Sequence, residues 1–132
     1  MNIEEYKTYD EADILWLYGS VGWTAYTASP ETLRQGFAHS LLVLAAWEDG
    51  ELLGILRAVG DGHTIVWIQD LLVFPAHQRR GVGSALLRAA LDRYQNVRQI
   101  QLATDSTPKT AAFYRSMGLR PFSECGCCGF MR

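Results

Sequence analysis

Residues 78–87 read QRRGVGSALL, a few positions after the apolar run VWIQDLLVF. Two arginines and two glycines thus stand where a buried strand ends and a helix begins. The first turn of a helix carries unpaired backbone N–H groups and the positive end of the helix dipole, so it is a ready anion site. Glycine at 81 and 83 takes away Cβ atoms that would hold a phosphate off those amides. Arg79 and Arg80 bring forked charge to the same point. One such element is worth only about 0.3–1 kcal/mol per charge when exposed, so tight binding of an anion needs several together, as here. A dinucleotide fingerprint would require a third glycine, and a P-loop a Gly-Lys-Ser/Thr ending; both are missing.

Gln69 and Asp70 interrupt the apolar strand before this loop. A buried carboxylate is costly without a partner, so Asp70 either ties down local backbone or lines a site. On an unbroken strand it would share a face with Ile68 and Leu72, with Gln69 opposite. A bulge would spoil that phase.

The elements that must position these residues are legible along the chain. Residues 2–7 predict a short opening strand, and Asp10 or Asp13 can cap a helix carrying Ile14, Leu15, Leu17 and Tyr18. Ser29-Pro30-Glu31 predicts a second helix running to about Ala38. Asp49-Gly50 between LLVLAAW and LLGILRAV predicts a tight hairpin, because both central positions favour positive φ. Gly60-Asp61-Gly62 turns the chain again into a strand over residues 64–74, whose near-continuous apolar character implies burial on both faces. Val82, Ala85, Leu86, Ala89 and Ala90 form the apolar stripe of a helix over residues 82–95. Residues 98–104 follow as a strand parallel to 64–74 across that helix. Thr107-Pro108 opens a helix that Gly118 ends, and residues 119–124 and 127–131 are expected to form a last strand pair.

The chain has 132 residues and is 48% hydrophobic, enough for one domain with a core and short for two. Twelve Lys and Arg against 14 Asp and Glu leave a formal charge of −2, which draws the protein neither to nucleic acid nor to an anionic membrane. The N-terminus is acidic and lacks the pattern of a secretory signal, and no apolar run approaches a bilayer span, so a cytoplasmic address is expected. Cys125, Cys127 and Cys128 are an odd number crowded into four positions, a poor basis for disulfides. They also lack a fourth ligand at zinc spacing, so no metal is expected.

Gln78-Arg79-Arg80-Gly81-Val82-Gly83 resembles the Q/R-x-x-G-x-G/A signature of the GNAT superfamily of acyl-CoA-dependent N-acetyltransferases. Residues 112–119, AFYRSMGL, resemble that family's FYxxxGF helix and turn, with Leu119 in place of the final Phe. Order, separation and element succession agree over almost the whole chain. The resemblance implies an α/β fold with a mixed, mostly antiparallel sheet of six to seven strands, about four helices and a parallel β-α-β cofactor unit. It implies that acetyl-CoA is the co-substrate. Its pyrophosphate would lie on the amides of Arg79, Arg80, Gly81, Val82, Gly83, Ser84 and Ala85, with Gln78 beside them, and its pantetheine arm would pair with the backbone of Leu71, Leu72 and Val73. Tyr114 would be the acid that protonates the departing thiolate, since a phenol near pKa ~10 keeps its proton at pH 7. Asp70 would be the base, with Asp105 as rival. Many members have Asn seven positions before the tyrosine; Thr107 stands there, and reads as an N-cap.

The family's acceptor pocket usually draws on the segment after the first strand, here VGWTAYTASPE, where Trp23 and Tyr26 could stack on an amine or close the core. The expected acceptor is a primary amine of a small molecule. Alternatives are a protein lysine or N-terminal amine, and a non-catalytic acyl-CoA sensor. Monomer and homodimer both remain open.

Overall fold

The computed structural model describes all 132 residues. Two compact units divide the chain, Met1–Leu102 and Ala103–Arg132.

The first unit is built on a five-stranded sheet in the order β1-β2-β3-β4-β5, with β1 Asn2–Glu5, β2 Leu42–Glu48, β3 Glu51–Gly60, β4 Ile65–Val73 and β5 Gln99–Leu102. The first four strands pair antiparallel and β4 pairs parallel with β5, so the sheet is mixed as expected. Asp49 and Gly50 both take positive φ, +51° and +78°, and close the β2–β3 hairpin. The Asp61 carboxylate holds the next turn by accepting from the amides of His63, Thr64 and Ile65 and from the Thr64 hydroxyl.

Helices cover both faces. On one, α1 (Glu11–Ser20) and α3 (Pro30–Ala38) bury Ile14, Leu17, Tyr18, Leu33 and Phe37 against Ala45, Leu52, Ile55 and Leu72. Asp10 caps α1 by accepting from the Asp13 amide. On the other, α4 (Val82–Arg93) is the β-α-β crossover and buries Val82, Leu86, Leu87 and Ala90. A short helix, α2 (Thr24–Thr27), lies between α1 and α3; four residues leave no periodic signal in sequence, and it was not anticipated.

The second unit carries α5 (Pro108–Ser116), capped by Thr107, whose hydroxyl accepts from the Thr110 amide. Gly118, at φ +90°, ends it: the Gly118 amide donates to Arg115 and the Leu119 amide to Tyr114. Beyond this the expected last strand pair does not form. The sheet has five strands rather than six to seven, and the chain has five α-helices rather than about four. Pro121, Gly126 and Gly129 break residues 119–131 into a 3-10 turn, Phe122–Cys125, and irregular chain. Proline removes a ladder donor and glycine a side chain to pack, so the apolar residues there cannot alternate across a pleat. Arg115 instead grips Glu124 through both ends of its guanidinium.

Candidate active site

β4 runs past its parallel neighbour. Its pairing with β5 covers only Ile65–Ile68, while its pairing with β3 continues to Val73. From residue 69 to 73 one edge of β4 therefore has no strand beside it, and this is the stretch holding Leu71, Leu72 and Val73. An extended amide-bearing chain could pair along such an edge.

The chain leaves β4 through a 3-10 turn, Pro75–His77, and enters α4 at Gly81. Gly81 sits at φ +80° and no side chain caps the helix. A Cβ built there would meet no atom within 4 Å, so glycine serves the backbone conformation and leaves open space before the amides of Val82, Gly83 and Ser84; Ala85 already donates to the Gly81 carbonyl. Arg79 also lies in the left-handed region, φ +63°. The two arginines are not equivalent. Arg80 donates to Glu48 Oε2 at 2.7 Å and to His77 Nδ1 at 2.8 Å, and the bond and charge of Arg80 hold the Glu48 carboxyl below its usual range. Gln78 folds back so that Nε2 donates to the Val73 carbonyl at 3.1 Å.

Asp70 lies on the other side of β4's free stretch, and its setting rests on a bulge. Arg57 pairs with Asp70, yet the next β3 residue, Ala58, pairs with Ile68, so Gln69 is the extra residue. Paired residues share a face. Asp70 therefore faces α1 and α3 with Arg57 and Leu72, while Ile68 faces the α4 side with Ala58. The Asp70 carboxylate is buried, and its Oδ2 accepts from Arg57 Nε at 2.7 Å and from the Tyr18 hydroxyl at 2.6 Å. Its Oδ1 is enclosed without a partner. Burial first, then the Asp70 charge and the bond to it, push the Tyr18 phenol far above its usual range. Burial alone would loosen the Arg57 proton; the neighbouring carboxylate more than reverses this, so the guanidinium stays charged.

Aromatic rings adjoin this network. Tyr18 lies 5.3 Å from Tyr26 and 6.1 Å from Trp23, and the latter two stack at 5.8 Å. The Trp67 indole donates to Gln69 Oε1, and Gln69 Nε2 donates to Tyr26 Oη. A cleft of about 360 Å³ opens beside Tyr26, lined by Ala25, Ser29, Thr32, Leu33, Gly36 and Arg57 as well. Trp23 is outside that lining. Arg57 and Tyr18 were not anticipated as site residues. The signal for them was a lone cation in LLGILRAV and a lone carboxylate in the next strand.

In the second unit, Tyr114 is half-buried on α5, edge-on to Phe113 at 5.0 Å. Burial, and then the charge of Asp105, raise its phenol pKa above the usual value. Asp105 accepts from the Thr107 amide and hydroxyl, which hold its own pKa low. Cys125, Cys127 and Cys128 are exposed and free, and no group of three or more His, Cys, Asp or Glu is arranged to hold a metal ion. No helix is long and apolar enough to cross a membrane.

A mixed sheet whose fourth strand overruns its parallel partner toward an uncapped, glycine-started helix is the framework of an acyl-CoA-dependent acetyltransferase. The acetyltransferase (GNAT) family model matches residues 8–119, and the chain belongs to that family. It is similar to a GNAT-family acetyltransferase from Streptococcus pneumoniae, 39% identical over 99% of this chain and 96% of that one, with TM-score 0.89. It is 25% identical to an uncharacterized N-acetyltransferase of Prochlorococcus marinus over 85% of its length. The PaiA N-acetyltransferase of Thermoplasma acidophilum, solved in complex with coenzyme A, shares the fold at TM-score 0.68 and 18% identity, with 89% of each chain covered. The chain spans 44% and 63% of the length of two curated relatives that it matches. Acetyltransferases of this family use acetyl-CoA.

Proposed function

We propose that the protein transfers the acetyl group of acetyl-CoA to a primary amine of a small molecule by direct attack. The reading is carried by the coincidence, in one strand, of a free backbone edge at residues 69–73 and a chain exit into the uncapped start of α4. Pantetheine amides would pair with Leu71, Leu72 and Val73, and the pyrophosphate would lie on the amides of Val82, Gly83 and Ser84, the Ala85 amide being taken by the Gly81 carbonyl, with Arg79 free to approach it. Arg80, already tied to Glu48 and His77, would hold the loop's shape and add part of its charge.

The neutral amine attacks the thioester carbon; the C–N bond forms, an oxyanion passes and the C–S bond breaks. An alkyl ammonium near pKa ~10.4 is deprotonated at pH 7 only at a cost of about 4–5 kcal/mol, so the proton needs a path away. Asp70 takes that role in this reading through Oδ1, its oxygen not engaged by Arg57 or Tyr18. Because that side chain has no exposed surface, the wall around Oδ1 must open before a water can carry the proton to it. Asp105 is the poorer base, since its hydrogen bonds to Thr107 depress its pKa. Tyr114, whose raised pKa keeps the phenol protonated, would return a proton to the thiolate.

A cleft of about 360 Å³ beside Tyr26 has the size of a small-molecule site, which favours a small acceptor. The test is thiol release from acetyl-CoA across polyamines, arylalkylamines, amino sugars, aminoglycosides and lysine peptides. Turnover is expected with a small amine. Turnover only with lysine peptides would move the acceptor to protein, and coenzyme A binding without any turnover would make the chain an acyl-CoA sensor.

A further inference from the structure

We infer that the cleft between α2, α3 and β3 selects an acceptor that carries an uncharged carbonyl, an amide in the simplest case, and that Arg57 reads it. The inference deepens the proposed acetyl transfer and rests on it. Arg57 is 7% exposed and lines the cleft. Its Nε is committed to Asp70 at 2.7 Å, and Nη1 reaches the Gly36 carbonyl and Ser40 Oγ only at 3.4 Å, the outer limit of a hydrogen bond. The guanidinium also lies within bonding reach of the Tyr18 hydroxyl, and Nη2 is not among the sealed, unpartnered polar atoms, which are Tyr9 Oη and Asp70 Oδ1. A nearly buried guanidinium at a cleft wall, with Nη1 held only at 3.4 Å, has donor capacity left for a ligand oxygen.

The sequence makes room for it. Gly36 stands inside α3, where glycine weakens a helix relative to alanine. A Cβ there would lie 3.3 Å from Arg57 Nη1 and 3.8 Å from Cζ, so glycine lets the guanidinium lie against the helix. The Phe37 ring, 5.7 Å from Cζ, holds it from another side.

Charge decides the class of ligand group. Asp70 already neutralises Arg57, and no other residue lining the cleft is charged. A carboxylate brought to Nη2 would share one cation with a buried carboxylate, and the repulsion would offset the gain. A carbonyl oxygen accepts both N–H groups without adding charge. Ser29 Oγ, which does not cap α3, and Thr32 sit on the same wall and can accept the amide N–H groups. Tyr26 and Leu33 would cover the carbon chain between carbonyl and amine.

The test compares ω-amino amides of one to three methylenes with the matching ω-amino acids and n-alkylamines, in wild type, Arg57→Lys and Gly36→Ala. Lysine keeps the ion pair and loses the second arm; alanine keeps every charge and displaces the guanidinium. In wild type the best amide should exceed its alkylamine in kcat/KM by at least tenfold. Both variants should bring that ratio within about threefold of unity, whatever the alkylamine rate of each variant, while coenzyme A affinity by calorimetry stays unchanged. An equal rate for amide and alkylamine, a preference for the carboxylate, or a preference surviving in both variants would overturn the inference. A second readout needs no turnover: the Arg57 Nε–Hε resonance should shift on adding the amide alone, and no shift counts against the inference. Thus a protein that shifts with the amide but acetylates nothing loses the transfer reading and keeps the carbonyl site.

Discussion

Arg57 and Asp70 are direct partners across the β3–β4 ladder, and their side chains meet on the same face with Nε and Oδ2 2.7 Å apart, Arg57 nearly buried and Asp70 fully so. Neither charge is matched by water to any extent, so each depends on the other. Replacing one partner should be far worse than replacing both. We expect Asp70→Leu to destabilise by about 3 kcal/mol, and the pair Arg57→Met with Asp70→Leu to recover most of that loss. Urea unfolding of Asp70→Leu, Arg57→Met and the double variant measures the coupling, and additive losses would refute it.

Tyr114→Phe removes only the phenolic proton. If Tyr114 protonates the thiolate, kcat falls about 100-fold or more, while coenzyme A affinity stays within about twofold. Turnover by the variant at the wild-type rate would take Tyr114 out of the mechanism.

Gly81→Val forces a β-branched residue into a conformation at φ +80° and puts its side chain into the open space before the α4 amides. The strain is about 1–3 kcal/mol. Coenzyme A affinity should fall at least about tenfold, roughly 1.4 kcal/mol. Calorimetry reads the affinity and circular dichroism the fold; unchanged affinity would move the pyrophosphate elsewhere.

Asp61 gives a pH signature. Its hydrogen bonds, first from the Thr64 hydroxyl and then from the amides of His63, Thr64 and Ile65, lower its folded pKa well below the usual carboxylate value. A depressed folded pKa means stability that is fully present above the unfolded pKa of about 3.9 and is lost as pH falls toward the folded value. Thermal melts should therefore show Asp61→Ala less stable than wild type at pH 7, with the gap closing below pH ~4. A gap independent of pH would mean that the carboxylate charge does not stabilise the turn.

Local chemistry made much of this fold readable. Asp49-Gly50, Ser29-Pro30 and Thr107-Pro108 each declare themselves within two residues, because positive φ, a cap and a fixed φ are local demands. Residues 119–131 misled because Leu119, Phe122, Phe130 and Met131 suggest strands, although Pro121, Gly126 and Gly129 deny them a ladder. Arg57 was missed for a different reason. A single cation in an apolar strand reads as outward-facing until the register with β4 is known, and that register includes a bulge. The glycine and arginine loop between β4 and α4 was legible as a strand-to-helix connection, but the diversion of Arg80 to Glu48 depends on β2, which lies 32 positions earlier in the chain.

Gln69 gives β4 two phases. Were the bulge flattened with Gln69 kept in the ladder, Ile68 and Asp70 would share a face, and the strand could offer Val66 and Ile68 to α4, or Asp70 to Arg57, but not both. Deleting Gln69 would instead leave both in place and straighten the ladder. The one unpaired residue is what lets a single strand carry a greasy underside and a neutralised acid.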